Sequence, residues 1–351
     1  MAAIDRIGFL FHNPELINHL GGVIELLPAG TFDLLVCWDA ENSSEMNEAA
    51  RRWGAKLVTT SEVIQSGDRY RFLVSNHPVH LHPRPLIQDL AERNIRFMYA
   101  AGKSGWNLSA WNNLYDLILC FGPFHAAAFG DCSDAVVLQM GYPRFDRFFD
   151  AAVNLDQLRR KFNCDPKKKT IVWLPTWSTL SSIGLFDQEV ASLMETYNVV
   201  VKVHPLMPGS EPDRVAALQA RGFNSFIKDA TDNMPLYQLA DYMLFDYGGP
   251  PFAGIYTDKD MLLLNVPNAE FDPLTGSDSP DILIRQHITN VNADESGILK
   301  VLADPSLWQA QQATRKFLRR EFFAPYYGFS CNVVASALMN LRNILPDVNH
   351  R

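Results

Sequence analysis

Residues 239–252 read LADYMLFDYGGPPF, and this stretch gives the clearest indication of the fold class. Tyr242–Asp246 begins as a short apolar run of the kind that forms a strand buried on both faces. Gly248–Gly249 then allows a tight turn. Pro250–Pro251 suits the first turn of a helix, where the missing N–H is not needed. The stretch therefore predicts a strand, a turn and a helix in direct succession, which is the repeating unit of a parallel α/β sheet.

The same alternation extends along most of the chain. Short apolar runs recur, and amphipathic stretches such as Pro14–Leu27, Ser43–Trp53 and Pro85–Asn94 separate several of them. The runs that we predict as strands are Arg6–Phe11, Phe32–Trp38, Ala55–Thr60, Arg71–Ser75, Ile95–Ala101, Leu117–Phe121, Val136–Met140, Thr170–Pro175, Val199–His204, Phe226–Lys228, Tyr242–Asp246 and Met261–Val266. Alternation of this kind predicts parallel sheets with helices on both faces.

Two interruptions divide the pattern near residue 150. A Gly-Tyr-Pro turn lies at Gly141–Pro143, and a polar stretch occupies Asn163–Lys169 before the strands resume. A chain of 351 residues also exceeds what one hydrophobic core usually covers. We therefore predict an α/β protein with two Rossmann-like, doubly wound domains facing a cleft, residues 1–150 and 151–325. We expect the helical residues 326–351 to cross back and pack on the N-terminal domain.

Composition indicates a globular protein and disfavours a general nucleic-acid binder. Hydrophobic residues make up 47% and charged residues 20% of the sequence, and the net charge is −8. A nucleic-acid binder usually presents a basic surface, which this balance does not favour. The first residues do not resemble a signal peptide, and no apolar run approaches the roughly 18 residues that span a bilayer. We expect a soluble, cytoplasmic protein, with contact at the inner face of the membrane as an open alternative.

Residues just after the strands are the first candidates for ligand binding, because open parallel sheets bind ligands beyond the carboxyl ends of their strands. The predicted strand Val199–His204 contains Lys202, and its terminal His204 precedes a proline. An imidazole there can donate a hydrogen bond to phosphate, or it can cap the next element. The following strand leads into a turn at a helix start, where main-chain N–H groups suit an anion unless the turn is merely structural. That turn consists of Asp246, Tyr247, Gly248 and Gly249.

Two further segments carry cations beside glycines. Arg144 can clamp a phosphate with both arms of its guanidinium, or it can pair with Asp146 and fix the domain junction. Lys103 and Ser104 follow Gly102, where they can bind phosphate or form a solvated turn. This segment is not a P-loop, because phenylalanine occupies the position of the first Walker A glycine.

Four motifs in this order resemble the CDP-glycerol glycerophosphotransferase family of teichoic-acid synthesis. They are Gly-Tyr-Pro-Arg-x-Asp at 141–146, Leu-Pro-Thr-Trp at 174–177, His-Pro at 204–205 and Ala-Asp-x-x-x-x-Asp-Tyr at 240–247. The resemblance covers roughly residues 117–266. It implies a GT-B architecture and a CDP-glycerol or CDP-ribitol donor. It also implies that His204 and the turn after Phe245 contact the donor pyrophosphate, and we assign Thr176 to the same site.

The sequence departs from the family pattern at two places. The serines that follow Asp-Tyr in the family are Gly248 and Gly249 here, so two hydroxyl donors are lost while the main-chain donors remain. The family's Trp-His-Gly-Thr-Pro motif supplies the base that activates the acceptor, but the corresponding stretch Tyr99–Trp106 contains no histidine. The candidate bases are therefore His12, after the first strand, and His77, after the fourth. A structural role is the alternative for each.

These features predict a transferase of cell-surface glycan assembly. It would move a glycerol-phosphate, polyol-phosphate or glycosyl group from a CDP-type donor to a glycan acceptor, with a lipid-linked acceptor as an open variant. We expect no resident cofactor, and any Mg²⁺ would accompany the donor. Two other functions stay open: a phosphoribosyltransferase that uses phosphoribosyl pyrophosphate on the same shell, and a non-catalytic binding or scaffold protein.

A basic and aromatic segment near the end of the sequence is a candidate membrane contact. It contains Arg315, Lys316, Arg319 and Arg320 with phenylalanines between them. Such a helix can rest on an anionic membrane surface. The alternative is the solvated face of a helix that packs on the core.

Overall fold

The chain folds into two compact units in the computed structural model, which describes residues 3–81, 84–150, 152–293 and 297–346. The first unit comprises Met1–Tyr99, Leu108–Phe149 and Phe322–Arg351, and the second comprises Ala100–Asn107 and Asp150–Glu321. The strands are β1 Ala3–Phe11, β2 Phe32–Val36, β3 Lys56–Thr59, β4 Arg69–Ser75, β5 His80–Leu81, β6 Arg84–Pro85, β7 Ala91–Phe97, β8 Leu117–Cys120, β9 Val136–Gln139, β10 Thr170–Leu174, β11 Asn198–Lys202, β12 Ser225–Ile227, β13 Tyr242–Phe245, β14 Met261–Leu264 and β15 Asn290–Val291.

Helices connect most of these strands. The α-helices are α1 Ile17–Ile24, α2 Ser44–Trp53, α3 Thr60–Ser66, α4 Ile87–Leu90, α5 Ser104–Asn107, α6 Pro123–Cys132, α7 Asp146–Asp150, α8 Leu155–Lys161, α9 Asp187–Ser192, α10 Met207–Ser210, α11 Pro212–Gln219, α12 Met234–Leu239, α13 Pro250–Tyr256, α14 Pro280–Leu283, α15 Ile298–Leu302, α16 Pro305–Phe322, α17 Ser330–Met339 and α18 Leu341–Ile344. Short 3-10 helices lie at Pro14–Leu16, Trp38–Ala40, Ala110–Leu114, Pro143–Phe145, Ser178–Leu180, Leu193–Glu195, Ala269–Phe271 and Ile284–Gln286.

The sheet of the first unit is parallel and has the order β3-β2-β1-β4-β7-β8-β9 among the described residues. The chain runs outward from β1 to β3 and then returns to build the other half from β4. The strand order therefore reverses between β1 and β4, and this switch point is where an open α/β sheet binds ligands.

The sheet of the second unit repeats this topology. Its described strands are parallel in the order β12-β11-β10-β13-β14-β15, so the switch point lies between β10 and β13. Strands β10, β11, β13 and β14 are buried along their whole length, as expected for a sheet covered on both faces. The predicted class of two Rossmann-like α/β units is confirmed.

Local capping signals define the ends of helices in the first unit. Ser43 accepts the N–H of Met46 at the start of α2, and Gly54 ends that helix in the left-handed conformation. Thr59 and Glu62 form a reciprocal capping box at α3. These pairs satisfy main-chain groups that the helices leave unpaired.

Strand β7 starts earlier than the sequence predicts. The stretch 85–94 was expected to be helical, yet α4 covers only four residues of it and β7 begins at Ala91. Two arginines give this strand a helix-like polar pattern, and the fold provides partners for both. Arg93 pairs with Asp116 at 2.5 Å, and the buried Arg96 guanidinium lies 4.3 Å from the ring centre of Trp111.

The C-terminal residues return to the first unit. The hydroxyl of Ser330 accepts the N–H of Tyr142 at 3.0 Å, and the Asp146 carboxylate accepts the N–H of Cys331 at 2.5 Å. A Cβ at Gly141 would lie 2.3 Å from Ser330 Oγ. This close approach explains the glycine. The returning segment starts at Phe322, slightly before the expected residue 326.

Residues 100–107 group with the second unit, although the sequence analysis assigns them to the first domain. Strand β7 ends at Phe97, so the predicted strand to residue 101 is too long. Long-range hydrogen bonds account for the grouping. The N–H of Lys103 donates to Asp281 at 2.6 Å, and the N–H of Ser104 donates to Ser279 Oγ at 3.2 Å.

Candidate functional site

The switch point of the second unit brings several predicted residues together. Thr176 follows β10, Asp246 follows β13, and His204 follows the neighbouring strand β11. In a parallel sheet these positions lie at the same edge, where ligands bind. The sequence analysis selected His204 and Asp246 by this rule, and Thr176 through the family resemblance.

Asp246 joins the loops at this edge. Its carboxylate is fully buried and accepts the N–H groups of Thr176, Ser182 and Tyr247, each at 2.8 Å, and the hydroxyl of Ser182 at 2.8 Å. Burial raises the pKa of this carboxyl, while these donors act in the opposite direction. Because both oxygens are engaged internally, Asp246 positions the loops. The expected direct contact of Asp246 with a phosphate does not fit this geometry.

Asp281, which the sequence analysis did not identify, connects two glycine-containing loops. Its buried carboxylate accepts the N–H of Lys103 at 2.6 Å and the N–H of Gly248 at 2.7 Å. A Cβ at Gly102 would lie 2.1 Å from Asp281 Oδ2, so only glycine allows this approach. The carboxylate thereby fixes the loop of Lys103 against the turn after β13.

Lys103 presents its side chain to the turn at Gly248. Its backbone is left-handed, with a φ of 59°, which is uncommon for a residue with a long side chain. A Cβ at Gly248 would lie 3.9 Å from Lys103 Cε and 3.9 Å from Thr176 Oγ1. Among the described residues, no carboxylate forms an ion pair with this ammonium. A half-buried cation without a counter-ion is suited to an anionic ligand.

His204 faces the same group of cations. Its Nδ1 accepts the N–H of Leu206 at 3.3 Å, so the neutral ring carries its proton on Nε2. Burial, together with the positive charges of Lys103 and Lys202, lowers the pKa of His204 to about 4 against the opposing effect of Glu211. At neutral pH the imidazole is therefore an uncharged N–H donor. Trp177 stacks on it with ring centres 5.8 Å apart.

The turn after β13 leaves open space beside these donors. A Cβ at Gly249 would meet no atom within 4 Å. The helix start contributes fewer N–H donors than expected, since Pro250 and Pro251 occupy its first positions and have none. The open space therefore receives its positive character mainly from side chains. We name Lys103, Lys202, His204, Thr176 and the Gly248–Gly249 turn the cationic cluster.

Two residues that were predicted to bind phosphate at this site have buried side chains instead. The ring of Tyr247 is buried with Leu180 and Val266, and the Arg285 guanidinium lies 3.7 Å from its centre. Ser104 is buried at the start of α5, and its N–H donates to Ser279. The expected phosphate contacts from these two side chains do not fit their burial.

Arg144 lies in the first unit and contacts His19. Its Nη1 is 2.7 Å from His19 Nε2, and burial together with Arg144 holds the pKa of His19 well below its usual value. The alternative of an Arg144–Asp146 ion pair is not what the structure shows, because Asp146 binds Cys331 N–H instead. Burial raises the pKa of the Asp146 carboxyl.

The switch point of the first unit contains the two candidate bases. His12 follows β1 and His77 follows β4, and their Nε2 atoms are 3.2 Å apart. Burial lowers the pKa of His12 to about 4, although nearby Asp39 acts to raise it. Trp38 and His12 form an edge-to-face pair, with ring centres 6.1 Å apart. We name His12 and His77 the histidine pair.

The basic segment of α16 differs from the predicted membrane face. Arg315 is 2% exposed, and it pairs with Asp258 at 3.0 Å and Asp260 at 2.9 Å. Arg319 packs over the ring of Tyr256. The basic face is therefore smaller than the sequence suggests, because acidic and aromatic neighbours engage part of it.

The described residues contain neither a metal-binding cluster nor a helix that could span a membrane. No three or more His, Cys, Asp or Glu side chains converge there in a way that could hold a metal ion. No described helix combines the length and apolar character needed to cross a membrane.

Comparison with known sequences shows similarity to transferases of teichoic-acid synthesis. Residues 113–265 match the model of the family described as CDP-Glycerol:Poly(glycerophosphate) glycerophosphotransferase. A teichoic acid glycerol-phosphate primase from Bacillus spizizenii is 28% identical over 142 residues, a match that covers 38% of this chain and 35% of the relative. The matched part thus spans about a third of the curated relative's length.

Solved structures show the same fold at low sequence identity. The wall teichoic acid polymerase TagF has a TM-score of 0.67 at 13% identity, covering 98% of this chain and 90% of that chain. A TagF variant soaked with CDPG has a TM-score of 0.67 at 15% identity, with coverage of 98% and 90%. Anabaena HepE in complex with UDP-glucose has a TM-score of 0.59 at 10% identity, with coverage of 96% and 99%. These likenesses support the GT-B-like class, and the match over residues 113–265 confirms the resemblance of this chain to the CDP-glycerol glycerophosphotransferase family.

Proposed function

We propose that this chain is a transferase that moves a glycerol-phosphate or related polyol-phosphate group from a CDP-activated donor to a hydroxyl of a glycan acceptor. The observation that carries the proposal is the cationic cluster at the switch point of the second unit. The Lys103 side chain and the Thr176 hydroxyl both lie beside Gly248 there, and Lys103 and Lys202 both act on His204. The family match over residues 113–265 supports the donor class.

The cationic cluster suits the leaving group of such a reaction. The acceptor oxygen forms a bond to the phosphorus that carries the glycerol, and the bridging P–O bond breaks. CMP leaves with the electron pair of that bond, and the acceptor proton passes to a base. The ammonium groups of Lys103 and Lys202 offset the charge that develops on the phosphates, while Nε2–H of His204 donates to a phosphate oxygen.

The remaining assignments concern the acceptor, the metal ion and the location of the protein. The second unit binds the donor and the first unit binds the acceptor, whose other end can be attached to a lipid at the inner face of the membrane. Mg²⁺ that accompanies the donor would be held mainly by the donor's own phosphates. These assignments, like the location in the cytoplasm, are part of the proposal.

Binding of CDP-glycerol, measured by calorimetry, tests the proposal. We expect Lys103→Ala and His204→Ala to weaken donor binding about tenfold or more, because a hydrogen bond to a charged group contributes about 1.5–3 kcal/mol. The matched control is Lys300→Ala, since Lys300 is exposed on α15. A productive site also releases CMP when a glycerol-phosphate acceptor is present.

The same measurement separates the alternatives from the sequence analysis. Binding of phosphoribosyl pyrophosphate in preference to CDP-glycerol would replace the proposal with a phosphoribosyltransferase. Failure of CDP-glycerol, CDP-ribitol, UDP-glucose and phosphoribosyl pyrophosphate to bind would favour the scaffold. The match over residues 113–265 favours neither alternative.

A further inference from the structure

Ser178 has a main-chain conformation that is uncommon for its residue type. Its φ of 61° lies in the left-handed region, which glycine adopts freely and other residues rarely adopt. The residue is exposed, so packing of its side chain does not hold this conformation. Ser178 directly follows Trp177, whose ring stacks on that of His204. The conformation of Ser178 therefore helps to determine where Trp177 lies.

One ion pair holds both main-chain groups of Ser178. Glu211 Oε1 accepts the N–H of Ser178 at 2.9 Å, and Arg214 Nη1 donates to the carbonyl oxygen of Ser178 at 3.3 Å. Arg214 Nη1 also pairs with Glu211 Oε2 at 2.7 Å. The left-handed residue is therefore tied to two side chains at the start of α11.

Arg214 extends this support along the loop that follows β10. Its Nη2 donates to the carbonyl oxygen of Ser181 at 3.3 Å and to that of Ile183. The buried carboxylate of Asp246 accepts other N–H groups of the same loop. The main chain of this loop is thus held at several points, and the ion pair supplies the contacts around its left-handed residue.

The ring of His204 is held by two contacts. Its Nδ1 accepts the N–H of Leu206 at 3.3 Å, and the ring of Trp177 stacks on it at an interplanar angle of 26°. No hydrogen bond within the described residues engages Nε2, which carries the proton of the neutral ring. That N–H is therefore open to a ligand, and its direction depends on both contacts.

We propose that Glu211 and Arg214 are positioning residues of the donor site. By fixing Ser178 in the left-handed conformation they hold Trp177 on His204, and the stacked ring keeps the Nε2–H of His204 in the orientation that meets a phosphate oxygen. Without the ion pair, Ser178 returns to ordinary conformations and the stack is lost in part of the molecules. Only molecules with the stack intact then bind the donor at full strength. This inference rests on the proposed function for its donor.

The exposure of the ion pair separates this role from a general contribution to stability. The side chain of Glu211 is 20% exposed and that of Arg214 is 32% exposed. Burial acts to raise the pKa of the Glu211 carboxyl, but the N–H of Ser178 and the guanidinium of Arg214 lower it overall, so the carboxylate is ionised at neutral pH. Ion pairs that contact solvent contribute little to stability. We therefore expect removal of Glu211 to affect donor binding more than folding.

Calorimetry with CDP-glycerol measures the effect on donor binding. We expect Glu211→Ala to weaken binding about tenfold, because a residue other than glycine populates the left-handed region to roughly a tenth without support. Glycine accepts a positive φ without strain, so the double variant Glu211→Ala and Ser178→Gly should bind within about threefold of wild type. The matched control is Asp213→Ala, which removes an exposed carboxylate from the same helix and should bind like wild type. A double variant as weak as Glu211→Ala overturns the inference.

Nuclear magnetic resonance of the ligand-free chain gives a second measurement, which a purely structural role would not change. A stacked indole shields the ring protons of an imidazole, so the ring-proton resonances of His204 report the stack. Glu211→Ala should shift them towards their positions in Trp177→Leu, where the indole is absent. Glu211→Gln removes the charge but keeps an oxygen for the N–H of Ser178, so its resonances should stay near the wild-type positions. Wild-type positions in Glu211→Ala overturn the inference.

The two measurements distinguish failure of the inference from failure of the proposed function. If wild type binds CDP-glycerol and Glu211→Ala binds it equally well, the inference is wrong and the proposed function stands. Loss of the stack with unchanged affinity has the same meaning, because the position of Trp177 would not matter to the donor. If no CDP-type donor binds to wild type, the proposed function fails, and the His204 resonances still decide whether the ion pair holds the stack.

Discussion

The buried carboxylate of Asp281 accepts the main-chain N–H of Gly248 at 2.7 Å. Its other oxygen accepts the N–H of Lys103 at 2.6 Å, across 178 positions of sequence. One side chain thus holds the loop before α5 against the turn after β13. This contact fixes the main chain of Lys103 and so helps to position its ammonium group, which contributes positive charge to the cationic cluster.

Replacing Asp281 should disturb both the fold and donor binding. Asp281→Ala leaves two buried N–H groups unpaired, and each should cost about 1–3 kcal/mol in the free energy of unfolding. Asp281→Asn keeps one acceptor, so we expect a smaller loss of stability. Urea unfolding checks both values, with the exposed Asp278→Asn as control. Equal stability of wild type and Asp281→Ala would contradict the role of this carboxylate.

The sequence predicts the groups that follow strands and misses those that act across the chain. His204 was found because a strand end is visible as an apolar run followed by a proline or polar residue, and Thr176 because it lies in a motif of the family that the chain resembles. Asp281 gives no such signal. Its partners lie 33 and 178 positions away, and no local pattern reveals a hydrogen bond over that separation.

Side-chain burial also decides which predicted residues can reach a ligand. Asp246 and Tyr247 stand in the predicted turn, but the fold turns both side chains inward. Lys103 was expected in the first domain because it follows a predicted strand there. Its main-chain bond to Asp281 places it in the second unit, and a periodic pattern carries no information on such a bond.

The two glycines of the turn should respond differently to serine. Gly248 has a φ of 101°, so Gly248→Ser forces a side chain into a conformation that L residues rarely adopt. Gly249→Ser meets open space and restores one hydroxyl of the family pattern. We expect a lower Tm for Gly248→Ser and an unchanged or higher Tm for Gly249→Ser, by differential scanning fluorimetry. The reverse order would contradict the described turn.

Removing the charge of Lys103 should change the titration of His204. Lys103 is one of the positive neighbours that lower the pKa of this imidazole. Lys103→Met should therefore raise the pKa of His204 from its value of about 4 towards the ordinary range. Histidine resonances followed against pH measure the shift, and Lys300→Met serves as control. An unchanged pKa of His204 would mean that the charge of Lys103 does not act on this imidazole. Lys103 would then not belong to the cationic cluster.

Acid should destabilise the protein through the same buried imidazoles. The pKa values of His12 and His204 are about 4 in the folded chain, whereas an unfolded histidine titrates near 6.5. The unfolded state binds more protons between these values, so the free energy of unfolding should fall as the pH drops from about 6.5 towards 4. Above about pH 6.5 both states are neutral and this contribution is complete.

The dependence should be visible between pH 5 and 6.5, where most carboxylates are still ionised. In the double variant His12→Gln and His204→Gln, the free energy of unfolding from urea titrations should depend less steeply on pH over this interval. His287→Gln should retain the wild-type slope, because His287 is exposed. If the free energy of unfolding depends equally steeply on pH in the double variant and in wild type, both imidazoles can be protonated in the folded chain. The neutral state assigned to His12 and the neutral N–H donor assigned to His204 would then both be wrong.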